Sequence, residues 1–304
     1  MQIRKYYPGF TPKAITFSID DGNLLLDRVF IDIVRPAGIV GSFNLYFGRG
    51  ERATSDEEYR ELYRGFERSN HCNRHPHAFN PEKEYNFTDE PFDRETADTS
   101  LVYKTEDEGI YLIHPTSYWS TIATADAYLR LAEEGRRDIE EIFGKGSVRC
   151  FVWPFGKQKD ERIYETLKKS GYYTIRRAYS EGYGIPDDKF DWGVNVDSTN
   201  FEIKILEFAA LPDDGELKFF CIGLHSSDFK RNNKWEELRA FAAEYGNRPS
   251  DFWYASPSDI FEYSDAIDKV TVKDSKIINP TEKELYIALD GKKYILKPQS
   301  ETEI

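Results

Sequence analysis

Short apolar runs alternate with longer amphipathic stretches along most of this chain, and that alternation limits the fold more than any other feature. Ala14–Ile19, Ile39–Phe47, Val148–Trp153, Tyr172–Arg176 and Phe219–Leu224 read as strands. Helical periodicity runs over Leu24–Arg35, stopping ahead of Pro36, and from Ser55, with Glu58 completing a capping box, to about Arg68. It returns over Ala123–Phe143, Asp160–Ser170 and Lys234–Tyr245, each closed by a glycine. Phe252–Ala255 and Asp259–Ile267 end the series. Strands and helices taken in turn imply a mostly parallel sheet with helices outside it. Ligands of such folds gather at the carboxyl ends of the strands. Asp20, Pro154 and His225 each come just after a predicted strand.

At 304 residues the chain has room for one large core or two smaller ones. Lys and Arg number 41 against 54 Asp and Glu, a net charge of −13. That argues against a nucleic-acid partner, which needs a basic face, and suits neutral or amine-bearing ligands. No apolar run reaches the roughly 18–20 residues of a membrane helix, so no membrane partner is expected. The opening residues lack a secretion signal, which points to the cytoplasm if Met1 is the native start and to secretion if a leader has been trimmed. Three scattered Cys make no disulfide framework. Cys150 and Cys221 sit in apolar runs as small core residues.

The chemistry concentrates in two polar segments. Ile-Thr-Phe-Ser-Ile-Asp-Asp-Gly (15–22) is a buried-strand pattern that ends in two carboxylates. Asp-Asp-Gly also suits a plain turn. His71-Cys72-Asn73-Arg74-His75-Pro76 supplies two imidazoles four apart, and three of the chain's five His lie at 71, 75 and 77. Anions at the rim of a core are costly without a cation. One carboxylate and two imidazoles would hold a divalent metal with open positions, leaving the second Asp as a base. Cys72, in a helical turn, would point away from the face that His71 and His75 share.

These segments resemble the polysaccharide deacetylase (NodB-homology) family. Thr16–Gly22 is similar to its first motif and Asn70–Pro76 to its second. Phe151-Val152-Trp153-Pro154-Phe155-Gly156 is similar to the third, and Ile222-Gly223-Leu224-His225 to the last. The resemblance spans roughly residues 10–265. It implies a distorted (β/α) barrel of about seven parallel strands, with Asp21, His71 and His75 on one divalent metal and Asp20 as general base. Zinc is the default for that donor set, and cobalt, nickel and iron stay open. It further implies His225 as general acid and the Phe155 N–H, set by Pro154, as oxyanion donor, with Trp153 beside them. The implied reaction is release of acetyl groups from N-acetylated or O-acetylated sugars. Two alternatives are a carbohydrate-binding homologue of weakened catalysis and an amidase for a small non-sugar substrate.

Two departures stand out. The family restrains its base with an Arg where Val152 stands; Arg176, at the end of the next strand, is the candidate replacement or else an ordinary surface residue. The family's fourth motif carries a carboxylate where this chain has Asn200, so Asn200 or Asp197 is expected to orient His225, with Asp228 a weaker candidate. Residues about 78–120 form a long insertion in the 1–268 barrel. Its Tyr111, His114, Tyr118 and Trp119 either wall a sugar groove or pack the insertion down. Residues 269–304 change character, and Asp290-Gly291 between alternating runs signals a hairpin. That tail reads as a small antiparallel appendage.

Overall fold

Strand Lys13–Asp20 (β1) is buried at six of its eight positions, as befits a strand covered on both faces. The computed structural model describes residues 2–48, 52–156 and 160–304. Seven further strands extend the sheet: Gly41–Leu45 (β2), Glu67–Asn70 (β3), Cys150–Val152 (β4), Thr174–Tyr179 (β5), Trp192–Val194 (β6), Val196–Asp197 (β7) and Lys218–His225 (β8). Their order is β6-β5-β4-β3-β2-β1-β8-β7, with Trp253–Tyr254 (β9) also paired to β1. The β3–β4, β4–β5, β7–β8, β1–β8 and β1–β9 pairs are parallel. The fold is an α/β, nearly closed, distorted barrel with separate antiparallel sheets. Among the described residues no helix is long and apolar enough to cross a membrane.

The chain forms two compact units, the first comprising Met1–Phe43, Leu62–Glu67 and Tyr179–Ile304. Its core is aromatic: Phe17 lies 5.1 Å from Phe30 and 5.7 Å from Phe241, which in turn lies 5.5 Å from Phe201. Edge-to-face pairs of this kind add to the apolar burial. The tail hairpin forms as its sequence implies, with Asp290 at φ 48° and Gly291 at φ 87°, the pair of left-handed residues a tight two-residue turn requires. Its strands Leu285–Leu289 and Lys292–Leu296 take up Ile3–Tyr6 to make a three-stranded sheet. Tyr263 fastens it, donating its hydroxyl to the Tyr6 carbonyl (2.7 Å) and accepting the Tyr286 N–H (3.0 Å).

The second unit comprises Asn44–Glu61 and Arg68–Ala178. The expected insertion is a small sheet and not a bare loop. Its strands are His77–Ala78, Phe87–Thr88, Val102–Lys104, Ile110–Ile113 and Ser120–Ala123. Two-residue strands leave no alternation to read, which hid the sheet. The helix expected from Ser55 to about Arg68 covers Asp56–Leu62 instead. Gly65, left-handed at φ 83°, follows that helix, and Glu67–Asn70 continues as β3.

One buried carboxyl gives the fold a pH dependence. Asp27 is fully buried in helix Leu24–Val34 and accepts the Tyr63 hydroxyl at 2.7 Å. Burial pushes its carboxyl up to about 7, against the opposing hydrogen bonds. The folded chain therefore holds a proton that the unfolded chain has lost, and stability falls as pH rises from about 4 to about 7. Urea unfolding of Asp27→Asn is expected to lack that slope. The parent's slope should total on the order of 4 kcal/mol at most.

Candidate metal centre and active site

β1 delivers Asp20 at its last position, and the chain then turns through two left-handed residues, Asp21 at φ 79° and Gly22 at φ 67°. A non-glycine residue in that region is uncommon and costs on the order of 1 kcal/mol, so the surroundings must hold Asp21 there. His225 ends the neighbouring β8 and is the register partner of Asp20. Its Nε2 lies 3.6 Å from Asp21 Oδ2. Two anions and an imidazole thus share one strand-end rim, where the alternating pattern placed Asp20 and His225.

The ring of His225 is held from behind. Asp228 Oδ2 accepts the His225 backbone N–H at 3.0 Å, lies 3.3 Å from Nδ1 and accepts the Ser198 hydroxyl at 3.4 Å. Burial alone would raise the Asp228 carboxyl, but the His225 hydrogen bonds and the nearby cations pull it below its ordinary value. Hydrogen bonding to Asp228 pushes His225 up to about 9, against burial and aided by Asp20 and Asp21. This corrects the expectation for Asn200 and Asp197. Asn200 is exposed ahead of helix Phe201–Ala209, and Asp197 accepts the Thr199 N–H (2.8 Å) and the Tyr179 hydroxyl (3.2 Å). His225 and Asp228 bracket the start of helix Ser226–Arg231 as a capping pair. The i, i+3 spacing was the signal that sequence reading underused.

The imidazole loop is built on strained turns: Cys72, Arg74 and His75 all have positive φ (57°, 62° and 47°). Side-chain amides bind it to its surroundings. Asn70 Oδ1 accepts the Cys72 N–H at 2.9 Å, and Asn73 Oδ1 accepts the Phe47 N–H at 3.0 Å. His71 is buried, and its Nδ1 lies 2.9 Å from the Val152 carbonyl. A carbonyl only accepts, so Nδ1 carries the proton and Nε2 keeps its lone pair. Val152 thus contributes its backbone. The Cys72 thiol lies 3.8 Å from the Tyr128 carbonyl, and burial pushes its pKa well up, so it is a core group.

Helix Ala125–Phe143 passes this loop at Gly135. A Cβ there would meet Asn70 Oδ1 at 2.5 Å and the Asn73 N at 3.2 Å. Ala is ordinarily the better helix former by about 1 kcal/mol. Here Gly135→Ala is expected to destabilise by about 1–3 kcal/mol and to weaken metal binding, checked by urea unfolding and zinc titration.

The donor set fits a divalent ion. Asp21, His71 and His75 each offer one ligand atom, and these atoms lie within 4.8 Å of one another. The two imidazoles face each other through Nε2 atoms 3.1 Å apart. Two ligands about 2.05 Å from one ion sit roughly 2.9–3.3 Å apart between right-angle and tetrahedral geometry. Two lone pairs at that distance repel unless a proton or a cation lies between them.

The third motif places Phe155 left-handed at φ 57° and 44% exposed. Its ring lies 4.4 Å from that of His75 and stacks flat on His77, 3.6 Å away at 6°. Trp153 is buried against Tyr128 and Phe151, and Pro154 is buried before the turn. Trp153 and Pro154 therefore support the turn from within. Arg176 is buried on β5 as the register partner of Val152, not an ordinary surface residue. Trp119 packs within the insertion against Phe92 (4.9 Å), Tyr103 (5.5 Å) and His114 (5.2 Å). His77, which sequence reading counted but left without a role, is the ring beneath Phe155.

No protein-family model matches the sequence, and no curated protein matches it. Solved structures do. A carbohydrate esterase family 4 domain of a multidomain xylanase from the hindgut metagenome of Trinervitermes trinervoides is 17% identical, with 84% of this chain and 92% of that one covered and a TM-score of 0.46. A family 4 esterase from Streptococcus mutans is 12% identical, with 83% and 92% covered and a TM-score of 0.46. A peptidoglycan deacetylase from Bacillus subtilis is 14% identical, with 87% and 94% covered and a TM-score of 0.43.

Proposed function

We propose that this chain is a metal-dependent hydrolase that removes acetyl groups from N-acetylated sugars. The observation that carries the reading is the convergence of Asp21, His71 and His75 ligand atoms within 4.8 Å. Beside Asp21 stand a spare carboxylate, Asp20, and an imidazole, His225, on paired strand ends. Spare acid, spare imidazole and three-ligand set are what hydrolysis of an acetamide requires, and they match the motifs of the polysaccharide deacetylases that the sequence resembles.

Asp21, His71 and His75 would hold a divalent ion, which when bound would supply Lewis acidity to the acyl oxygen and to a water. Zinc suits the donors, with cobalt, nickel and iron as alternatives. Asp20 takes the proton of the attacking water. The Phe155 N–H donates to the oxyanion as the carbonyl becomes tetrahedral. The C–N bond then breaks, and His225 gives its Nε2 proton to the departing amine. Asp228 holds Nδ1, so the acidic proton stays on the Nε2 side, which faces Asp21. Arg176 is the positioning residue for Asp20, supplying the cation that the family carries where Val152 stands. An Arg176→Ala enzyme with unchanged kcat would remove that role.

The test is acetate release from a panel of N-acetylated and O-acetylated glycans, with metal content measured on the same sample. Release from N-acetylated members by metal-loaded protein is the expected result. Full metal occupancy with no acetate from any member would turn the reading toward a small non-sugar amide.

A further inference from the structure

The His-Pro-His run at 75–77 holds the motif aromatic from two sides. The Phe155 ring meets His75 edge-on, 4.4 Å away at 70°, and lies flat on His77, 3.6 Å away at 6°. All four residues belong to the second unit. Pro76 is buried between the two imidazoles in sequence, and its ring stiffens the chain there. His77 opens the insertion's first strand, in register with Ile122. Two residues on, the Phe79 N–H donates to the Ala123 carbonyl at 2.7 Å. The insertion's sheet thus sets the position of the His77 ring.

Phe155 requires such support. It is left-handed at φ 57°, Gly156 follows at φ 81°, and its exposed ring is not enclosed by a core. The turn's backbone bonds lie on either side of it. The Trp153 N–H donates to the Arg176 carbonyl at 3.0 Å, and the Gly156 N–H to the Trp153 carbonyl at 3.3 Å. Among the described residues none accepts the Phe155 N–H, so that donor is open to an incoming oxygen. The His77 imidazole leaves one nitrogen idle: Nε2 is buried and has no hydrogen-bond partner. Burial, with Lys83 nearby, holds its pKa below the ordinary value, which favours the neutral ring. A neutral ring with an idle nitrogen contributes its flat face.

Resting on the deacetylase reading for its effect on rate, we propose that His77 is a positioning residue whose ring fixes Phe155, and through Phe155 both the oxyanion N–H and the orientation of His75. What the position requires is a flat ring and not an imidazole nitrogen.

The experiment compares His77→Phe, which keeps a flat ring, with His77→Leu, which keeps apolar bulk without one. Zinc affinity is measured by chelator competition, and acetate release on the N-acetylglucosamine hexamer at saturating zinc. An oxyanion contact strengthens only as the carbonyl becomes tetrahedral, so its misplacement lowers kcat and spares KM. His77→Leu is expected to lose about ten- to a hundredfold in kcat, part of the cost of a lost oxyanion donor, with KM within about twofold. It should bind zinc about three- to tenfold more weakly, less than the loss of a direct partner of a ligand would cost. His77→Phe should stay within about threefold of the parent in both measurements. Phe155→Leu removes the other ring of the stack and keeps the N–H. It should match His77→Leu, and the double variant should lose no more than either single one, because the two rings act as a unit. Additive losses in the double variant, or His77→Phe losing as much as His77→Leu, overturn the inference. Zinc binding weakened by His77→Leu and restored in His77→Phe, with no acetate from the parent, keeps the ring contact and rejects the deacetylase reading. Parent-like zinc affinity and kcat in His77→Leu reject the inference and keep that reading.

Discussion

Replacing His71 with alanine is expected to leave purified protein without its divalent ion and to cut acetate release by roughly a thousandfold or more. The ring is buried, its Nδ1 is committed to the Val152 carbonyl, and its Nε2 faces His75 Nε2 at 3.1 Å. Removing it takes away one of three donors and the neighbour that fixes the second. Cys72→Ala is the control from the same loop. Its thiol is buried toward the Tyr128 carbonyl, so metal content should match the parent. Elemental analysis of both variants checks the pair of expectations. Metal retained at full stoichiometry in His71→Ala would mean that the ion is held elsewhere.

The second large effect falls on Asp228. Asp228→Asn keeps the size of the side chain while removing the carboxylate charge beside Nδ1 of His225, and kcat is expected to fall by about 10²–10³. The sign of the pH effect follows from the cause of the shift. Hydrogen bonding to Asp228 is the largest contribution raising His225, so its loss lowers that pKa. Protonated His225, the acid form, is then lost at lower pH. The alkaline limb of the kcat profile should move to lower pH, which a merely structural role for Asp228 would not cause. Asn200→Asp changes an exposed residue ahead of its helix and should stay within about threefold of the parent.

What the sequence disclosed follows physical lines. Strands buried on both faces, such as Lys13–Asp20 and Lys218–His225, show as continuous apolar runs, and their pairing in the structure sets Asp20 and His225 in register at their ends. The Asp290-Gly291 turn was legible because its two left-handed positions restrict residue choice. The insertion's sheet was not legible, since its strands are two to four residues long. The partner of His225 was sought in the segment around Asn200 by analogy, whereas the helix start after His225 brought Asp228 into reach. The support of His71 was invisible for a different reason: the Val152 carbonyl is backbone, which residue identity does not advertise.

Everything about the proposed chemistry depends on one ion held by two imidazoles and a carboxylate. X-ray absorption of the zinc-loaded protein tests this most directly. The account predicts a nitrogen and oxygen shell at about 2.0–2.1 Å with outer scattering from two imidazoles. A sulfur shell near about 2.3 Å, or fewer than two imidazoles, would contradict it.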